Sequence, residues 1–390
     1  MFYYLSFLRP PPLNGPLSGP ISITPQIAND LRTESLDGAQ DVYYSWSPPQ
    51  DNTSLSKSVP PAITKPVKLT TWRQSSAYKE LLVPLPPGVR NGQPWRLVLT
   101  SHVHGRPHVI SLKDIDFGHT PFPVMSMPIM FDSRNPKTSV TGKQEQIERI
   151  YGFPLKSKED NVYLTVREQT SYDLDKKIWD SGIGLSSWIL DLYDGNTSAS
   201  VLKNYPRLND ALFSHDRRNI LELGAGTGIV TLTIASLRSS FDVVDVGKII
   251  TTDLPSAMPL LEHNISANEH LFTSARPQAA VLNWDDEEIA DVVKSLDAGI
   301  DAIVMADVTY NTTSFPSLIR TLSNLIQVNV KRDAEPPVIL LGYKERDPEE
   351  RTLWKIAGDI GLTFERVGER VGSGGNEVEV WVGKVTEDER

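Results

Sequence analysis

The stretch of this chain best suited to chemistry is a short apolar run that stops at closely spaced glycines: Ile220, Leu221, Glu222, Leu223, Gly224, Ala225, Gly226, Thr227, Gly228. Glycine lets backbone amides approach a ligand closely, and a helix starting just beyond would aim its N-terminal dipole at the same point. The spacing is G-x-G-x-G. A dinucleotide fingerprint would need glycine at position 229, which is Ile229, and a phosphate-binding P-loop would need a Gly-Lys-Ser/Thr ending that is missing. The next apolar run ends in Asp253, where an acid fits a carboxylate gripping both ribose hydroxyls. The alternative is an N-cap for a helix from Ser256.

Further stretches narrow the reading. Arg167 to Tyr172 leads to Lys177-Ile178-Trp179-Asp180-Ser181-Gly182; Leu282-Asn283-Trp284-Asp285 and Ala306-Asp307-Val308-Thr309-Tyr310 follow later. With the glycine loop, which resembles motif I of S-adenosylmethionine-dependent methyltransferases, these motifs resemble the family 16 protein lysine methyltransferases over roughly residues 145 to 385. The wording around Trp179 and the long N-terminal extension look most like the fungal branch that modifies translation elongation factors.

The resemblance implies S-adenosyl-L-methionine as cofactor, with Gly224, Ala225 and Gly226 around its methionine portion, Glu222 and Gly228 as further cofactor-binding residues of the same motif, and Asp253 on the ribose. It puts Trp179 against the cofactor, Trp284 beside the adenine, Asn283 within reach of the adenine amine and Ala306 in the pocket wall. Asp307 and Tyr310 match the D-x-x-Y signature at the mouth of the active site. Without the resemblance, both tryptophans read as core aromatics, and Asp307 and Tyr310 as a loop cap before Phe315. Tyr343 follows an apolar run at the carboxyl edge where open α/β sheets bind ligands, so it is expected either to wall a lysine channel or to end a strand with its hydroxyl in solvent.

The implied partner is a protein presenting a lysine, with a translation elongation factor as one candidate. Competing readings are methylation of a small amine and a non-catalytic cofactor-binding interaction protein. No Asn/Asp-Pro-Pro-aromatic motif of base-methylating enzymes occurs, which counts against a nucleic-acid amine as acceptor. A formal net charge of -10 removes the driving force for binding naked DNA. With no cysteine, disulfides, thiolate zinc sites, iron-sulfur clusters and a Cys nucleophile are excluded. His102, His104 and His108 lack an acid or cysteine to complete a metal site, so no metal is expected. The apolar start Met1 to Leu8 is too short for a signal core or membrane span, and Asn52, which opens an N-x-Ser/Thr triplet, matters only in secreted chains. We expect a cytoplasmic monomer, with the nucleus also open, and no membrane partner.

Elements must hold these residues in place. Hydrophobic residues at 39% and charged residues at 23% fit an ordinary globular chain. Prolines crowd residues 1 to 65, which read as loop-like or partly disordered. Residues 66 to 140 carry short apolar or alternating runs bounded by Gly, Pro and Asn, a β-rich module. Gln144 to Ile150 reads as a helical link into a domain spanning 145 to 390. There strand-like and helix-like runs alternate, predicting a doubly wound α/β sheet of seven strands that closes in an antiparallel pair.

Overall fold

The computed structural model describes residues 1–49, 59–133, 142–155, 161–171, 173–241 and 245–386. Asn52 and Tyr172 lie outside the described residues, as do parts of the two N-terminal stretches. The chain divides into two compact units: the first takes residues 1–153, 163–173 and 372–375, the second the rest of the described chain.

In the first unit, the expectation of a loop-like start is corrected. Tyr4–Arg9 and Ile21–Ala28 pair antiparallel, Leu81–Val83 joins them, and Ala39–Ser47 runs antiparallel to Gln93–Thr100 in a larger sheet. Leu5, Phe7, Ile23, Ile27, Val42 and Trp46 are buried together. The prolines misled because most of them punctuate the gaps between strands. Pro25, which does sit inside a strand, lies opposite Phe7 where the register slips, the kind of irregularity that tolerates a missing donor.

The helical link is corrected too. Gln146–Pro154 is a strand, antiparallel to Val124–Ser126 and parallel to Val109–Ser111. Its charges imitate the exposed face of a helix, yet they are buried ion pairs: Arg149 donates to Glu168 at 2.8 Å, and Glu148 accepts from Arg96 and Arg167. The boundary between units therefore falls well after residue 145. Removing residues 1–140 should accordingly strip Gln146–Pro154 of Val124–Ser126 and Val109–Ser111, leaving it paired only with Asn161–Gln169 and giving an aggregating product without a cooperative melt in calorimetry. A sharp melt would contradict this arrangement.

The second unit is a seven-stranded sheet. Its strands are β1 (Ile220–Leu223), β2 (Ile249–Asp253), β3 (Gln278–Val281), β4 (Ala302–Ala306), β5 (Val338–Tyr343), β6 (Leu362–Arg370) and β7 (Val378–Val385), in the order β3-β2-β1-β4-β5-β7-β6. The pairings from β3 to β5 are parallel, whereas β7 runs antiparallel to both β5 and β6. Every residue of β1 is buried, as expected for a parallel strand covered on both faces. The principal helices are α1 (Asp180–Tyr193), α2 (Ile229–Arg238), α3 (Met258–Ala267), α4 (Phe315–Val330) and α5 (Thr352–Gly358). Gly342 lets α1 approach β5, since a Cβ there would lie 2.9 Å from the Ser181 carbonyl and from Leu185. Strand order reverses between β1 and β4. In an open α/β sheet, such a reversal opens a crevice at the carboxyl ends of the strands.

Candidate functional site

A cleft of ≈1060 Å³, open mouth included, lies at that reversal. It is lined from β1 and its loop by Glu222, Gly224, Ala225 and Gly226, from β2 by Asp253, and by Asn283 and Trp284 beyond β3. Ala306, Asp307 and Tyr310 line it from the end of β4, and Trp179 from the approach to α1. Residues expected to act together thus converge, although they are spread from 179 to 310 in the chain.

The glycine loop takes its shape from three left-handed residues, Gly224 (φ 65°), Gly226 (φ 53°) and Gly228 (φ 81°). A Cβ on Gly224 would lie 2.9 Å from Val308 and 3.4 Å from the Trp284 ring, so only bare backbone fits there. Gly228 does not line the cleft; it turns the chain into α2. Asp253 holds the loop from β2, accepting from the Gly226 N–H at 2.6 Å and from the Leu254 N–H at 2.7 Å. Burial raises its carboxyl above the usual range, and these two donors pull it partly back. Asn283 Oδ1 accepts from the Asp285 N–H at 3.1 Å, which fixes the side chain beside Trp284.

Glu222 is almost fully buried, and the Thr251 hydroxyl donates to it at 2.7 Å. Burial pushes its carboxyl up to about 7, well above an exposed glutamate. A raised carboxyl binds its proton more tightly when folded, so stability falls as pH rises from about 4.5 to 7. Glu222→Gln removes that dependence. Its stability relative to wild type, followed by thermal melts, should therefore improve between pH 5 and pH 8, by at most about 3 kcal/mol. A pH-independent difference would show that Glu222 does not titrate in this window.

At the end of β4, Asp307 occupies the left-handed region (φ 62°) and is 6% exposed. Its N–H donates to the Gly342 carbonyl at 3.1 Å, which aims the carboxylate. The Ser181 hydroxyl donates to Oδ1 at 2.9 Å, and the Arg346 guanidinium forks onto both oxygens. The same guanidinium lies 5.2 Å from the centre of the Trp179 ring. Tyr310 is 54% exposed at the mouth, and burial of its hydroxyl with the charges of Asp253, Asp175 and Asp307 raises its pKa. Carboxylates of Asp253, Asp175 and Asp285, with Glu222 once it ionises, make this cleft a setting for a cationic ligand, while Arg346 offsets the charge of Asp307.

Tyr343 is corrected. It is fully buried, 4.9 Å from Trp354 in an edge-on ring contact, and does not line the cleft. Successive strand residues face opposite sides of a sheet, so when Gly342 takes the α1 side, Tyr343 must enter the core formed with Leu353 and Ala357. Ser181, Asp175 and Arg346 were missed as site residues. Their signal was slight: Ser181 sits within a motif stretch already singled out and Arg346 lies three residues past Tyr343, but only the fold brings them to Asp307. Among the described residues, no group of three or more His, Asp or Glu is arranged to hold a metal, and no helix is long and apolar enough to cross a membrane.

Residues 158–357 match the family model described as lysine methyltransferase. The chain is 28% identical over 243 residues to a UPF0665 family protein of Schizosaccharomyces pombe, covering 62% of this chain and 63% of that one. It is 29% identical over 175 residues to the protein-lysine N-methyltransferase EFM6 of Saccharomyces cerevisiae, covering 44% and 63%. It is 32% identical over 108 residues to the EEF1A lysine methyltransferase 3 of Xenopus tropicalis, covering 28% and 42%. Each match spans less than two thirds of the relative's length.

Proposed function

Because the chain belongs to the lysine methyltransferase family, we propose that it uses S-adenosylmethionine to methylate a lysine amine of a protein, with a translation elongation factor as the first candidate substrate. The observation that carries this reading is that one cleft joins the glycine loop, Asp253 and Trp284 to Asp307 and Tyr310. Similarity to the EEF1A lysine methyltransferase 3 of Xenopus tropicalis supports trying elongation factor 1A first.

The residues present suit the cofactor. Gly224 and Gly226, both at positive φ, bring bare backbone to the cleft, Asp253 presents a carboxylate for a ribose diol, and Trp284 and Asn283 stand together for a purine. Bound there, S-adenosylmethionine would supply a methyl group on a cationic sulfonium. Glu222, balanced near neutrality by burial, is stabilised in its ionised form by any cation placed over it.

The acceptor poses a separate problem. Free lysine has a pKa of about 10.4, so presenting the neutral amine at pH 7 costs about 4 to 5 kcal/mol unless the site depresses that pKa. Burial against Trp179 and Tyr310 contributes, because desolvation disfavours the ammonium. Asp307, fixed by its backbone and by Ser181, serves as a hydrogen-bond acceptor that aligns the nitrogen, and Tyr310 closes the mouth beside it. Proximity and exclusion of water supply most of the acceleration.

Radiolabelled methyl transfer tests the substrate class. Purified protein added to an extract of cells lacking it should label a discrete protein band, and recombinant elongation factor 1A should be labelled directly. Label recovered only in small amines would reject the protein-substrate reading.

A further inference from the structure

A buried ion pair sits where the proposed acceptor must bind. The Arg346 side chain, 12% exposed, donates from Nη2 to Asp307 Oδ2 at 2.8 Å and from Nη1 to Oδ1. Lying against the Trp179 ring, the guanidinium is held from a second side. A second buried pair, Lys344 with Asp180 at 2.8 Å, ties the chain just before Arg346 to the first turn of α1. That turn also carries Ser181, whose hydroxyl reaches Asp307. The guanidinium and the carboxylate are thus fixed by independent contacts.

This matters because of the sign of the charge. A lone carboxylate beside a lysine amine favours the ammonium, which has no lone pair to give. A carboxylate already neutralised by a forked guanidinium can still accept a hydrogen bond, with far less bias toward the protonated amine. We infer that Arg346 is a positioning residue that acts through Asp307, holding its carboxylate in place and cancelling its charge so that the acceptor lysine is presented as the neutral amine. This rests on the lysine-methylation reading above.

Other charged and titratable groups facing the pair are accounted for. Glu350 accepts from the Arg346 N–H at 3.2 Å, Lys344 and Asp180 offset each other, and Tyr310, Asp175, Lys177, Asp253 and Glu222 line the cleft. None of them makes the forked contact with Asp307, so removing Arg346 leaves that carboxylate's charge largely uncancelled.

The test uses the full chain, S-adenosylmethionine and recombinant elongation factor 1A, comparing R346M, R346K and D307N/R346M with wild type. In R346M, the ascending limb of the kcat profile, which reports the bound acceptor, should move up by about one pH unit, with kcat at pH 7 down about 10- to 100-fold and KM for the acceptor unchanged or lower. R346K keeps the charge and loses the fork, so its limb should stay near that of wild type while kcat falls. In D307N/R346M both charges are gone, and the limb should return to the wild-type position. An unmoved limb in R346M, a moved limb in R346K, or no return in the double variant would overturn the inference.

Thermal melts provide a readout independent of turnover. Relative to D307N/R346M, R346M should lose about 5 to 10 °C of melting temperature at pH 8, because its buried carboxylate has no counter-charge. Equal melting temperatures for the two variants would overturn the pairing role. Wild-type protein that methylates no lysine would instead defeat the underlying reading, while the melts still decide what Arg346 does to Asp307. Should R346M fail to fold, the R346K profile decides, because a limb displaced despite the retained charge contradicts the inference.

Discussion

Asp307→Asn is expected to lower turnover at pH 7 by about a hundredfold while leaving affinity for S-adenosylhomocysteine within a few-fold of wild type. Asparagine keeps the size of the side chain and one accepting oxygen, but it leaves Arg346 without its buried carboxylate. The uncancelled guanidinium then repels the lysine ammonium, so KM for the acceptor should rise. The defect should ease as pH increases and more of the acceptor becomes neutral. Tyr310→Phe keeps the ring at the mouth and loses only the hydroxyl, which is expected to cost about tenfold. Calorimetry with S-adenosylhomocysteine separates these roles from cofactor binding. Loss of binding in both variants would assign Asp307 and Tyr310 to the cofactor instead.

Asp253→Ala should have the largest effect on the cofactor itself, about a 10- to 150-fold loss of affinity, the size of a charge-assisted hydrogen bond worth roughly 1.5 to 3 kcal/mol. From the sequence alone, the variant would be expected to keep nearly all its thermal stability. The fold changes that expectation. The carboxylate accepts from Gly226 and Leu254, so alanine also frees two backbone donors and loosens the loop. A fall of a few degrees in melting temperature should accompany the lost affinity, and Asp253→Asn, which retains an acceptor, should recover part of the stability but little of the binding. Unaltered affinity in a folded Asp253→Ala variant would remove Asp253 from the site.

What was legible in the sequence was local. The run from Ile220 through the glycines into α2 announces itself because strand, loop and helix are contiguous, and Asp253 could be found because it ends the next strand. Trp179, Trp284 and Asp307 were recognisable only through motif wording, since nothing in a lone tryptophan separates a cofactor wall from a core aromatic. Asp307 and Arg346 are 39 residues apart and meet only because β4 and β5 are neighbours in register, with Ala306 opposite Gly342. Tyr343 failed on parity: a strand-end residue faces one side of the sheet or the other, and the apolar run Val338–Tyr343 carries no alternation from which to choose. At the N-terminus, proline content outweighed the buried alternation of Ile21, Ile23 and Ile27, and the charges at Glu148 and Arg149 disguised a buried strand as a helix face.

The central claim is that the cleft between β1 and β4 delivers a methyl group to the side-chain nitrogen of a protein lysine. The most direct measurement is tandem mass spectrometry of recombinant elongation factor 1A incubated with this protein and S-adenosylmethionine carrying a trideuterated methyl group. Wild-type protein should place the heavy methyl on the Nζ of a defined lysine, and Asp307→Asn should bring its near-complete loss. A heavy methyl on another side-chain type, or undiminished lysine labelling by Asp307→Asn, would contradict that claim.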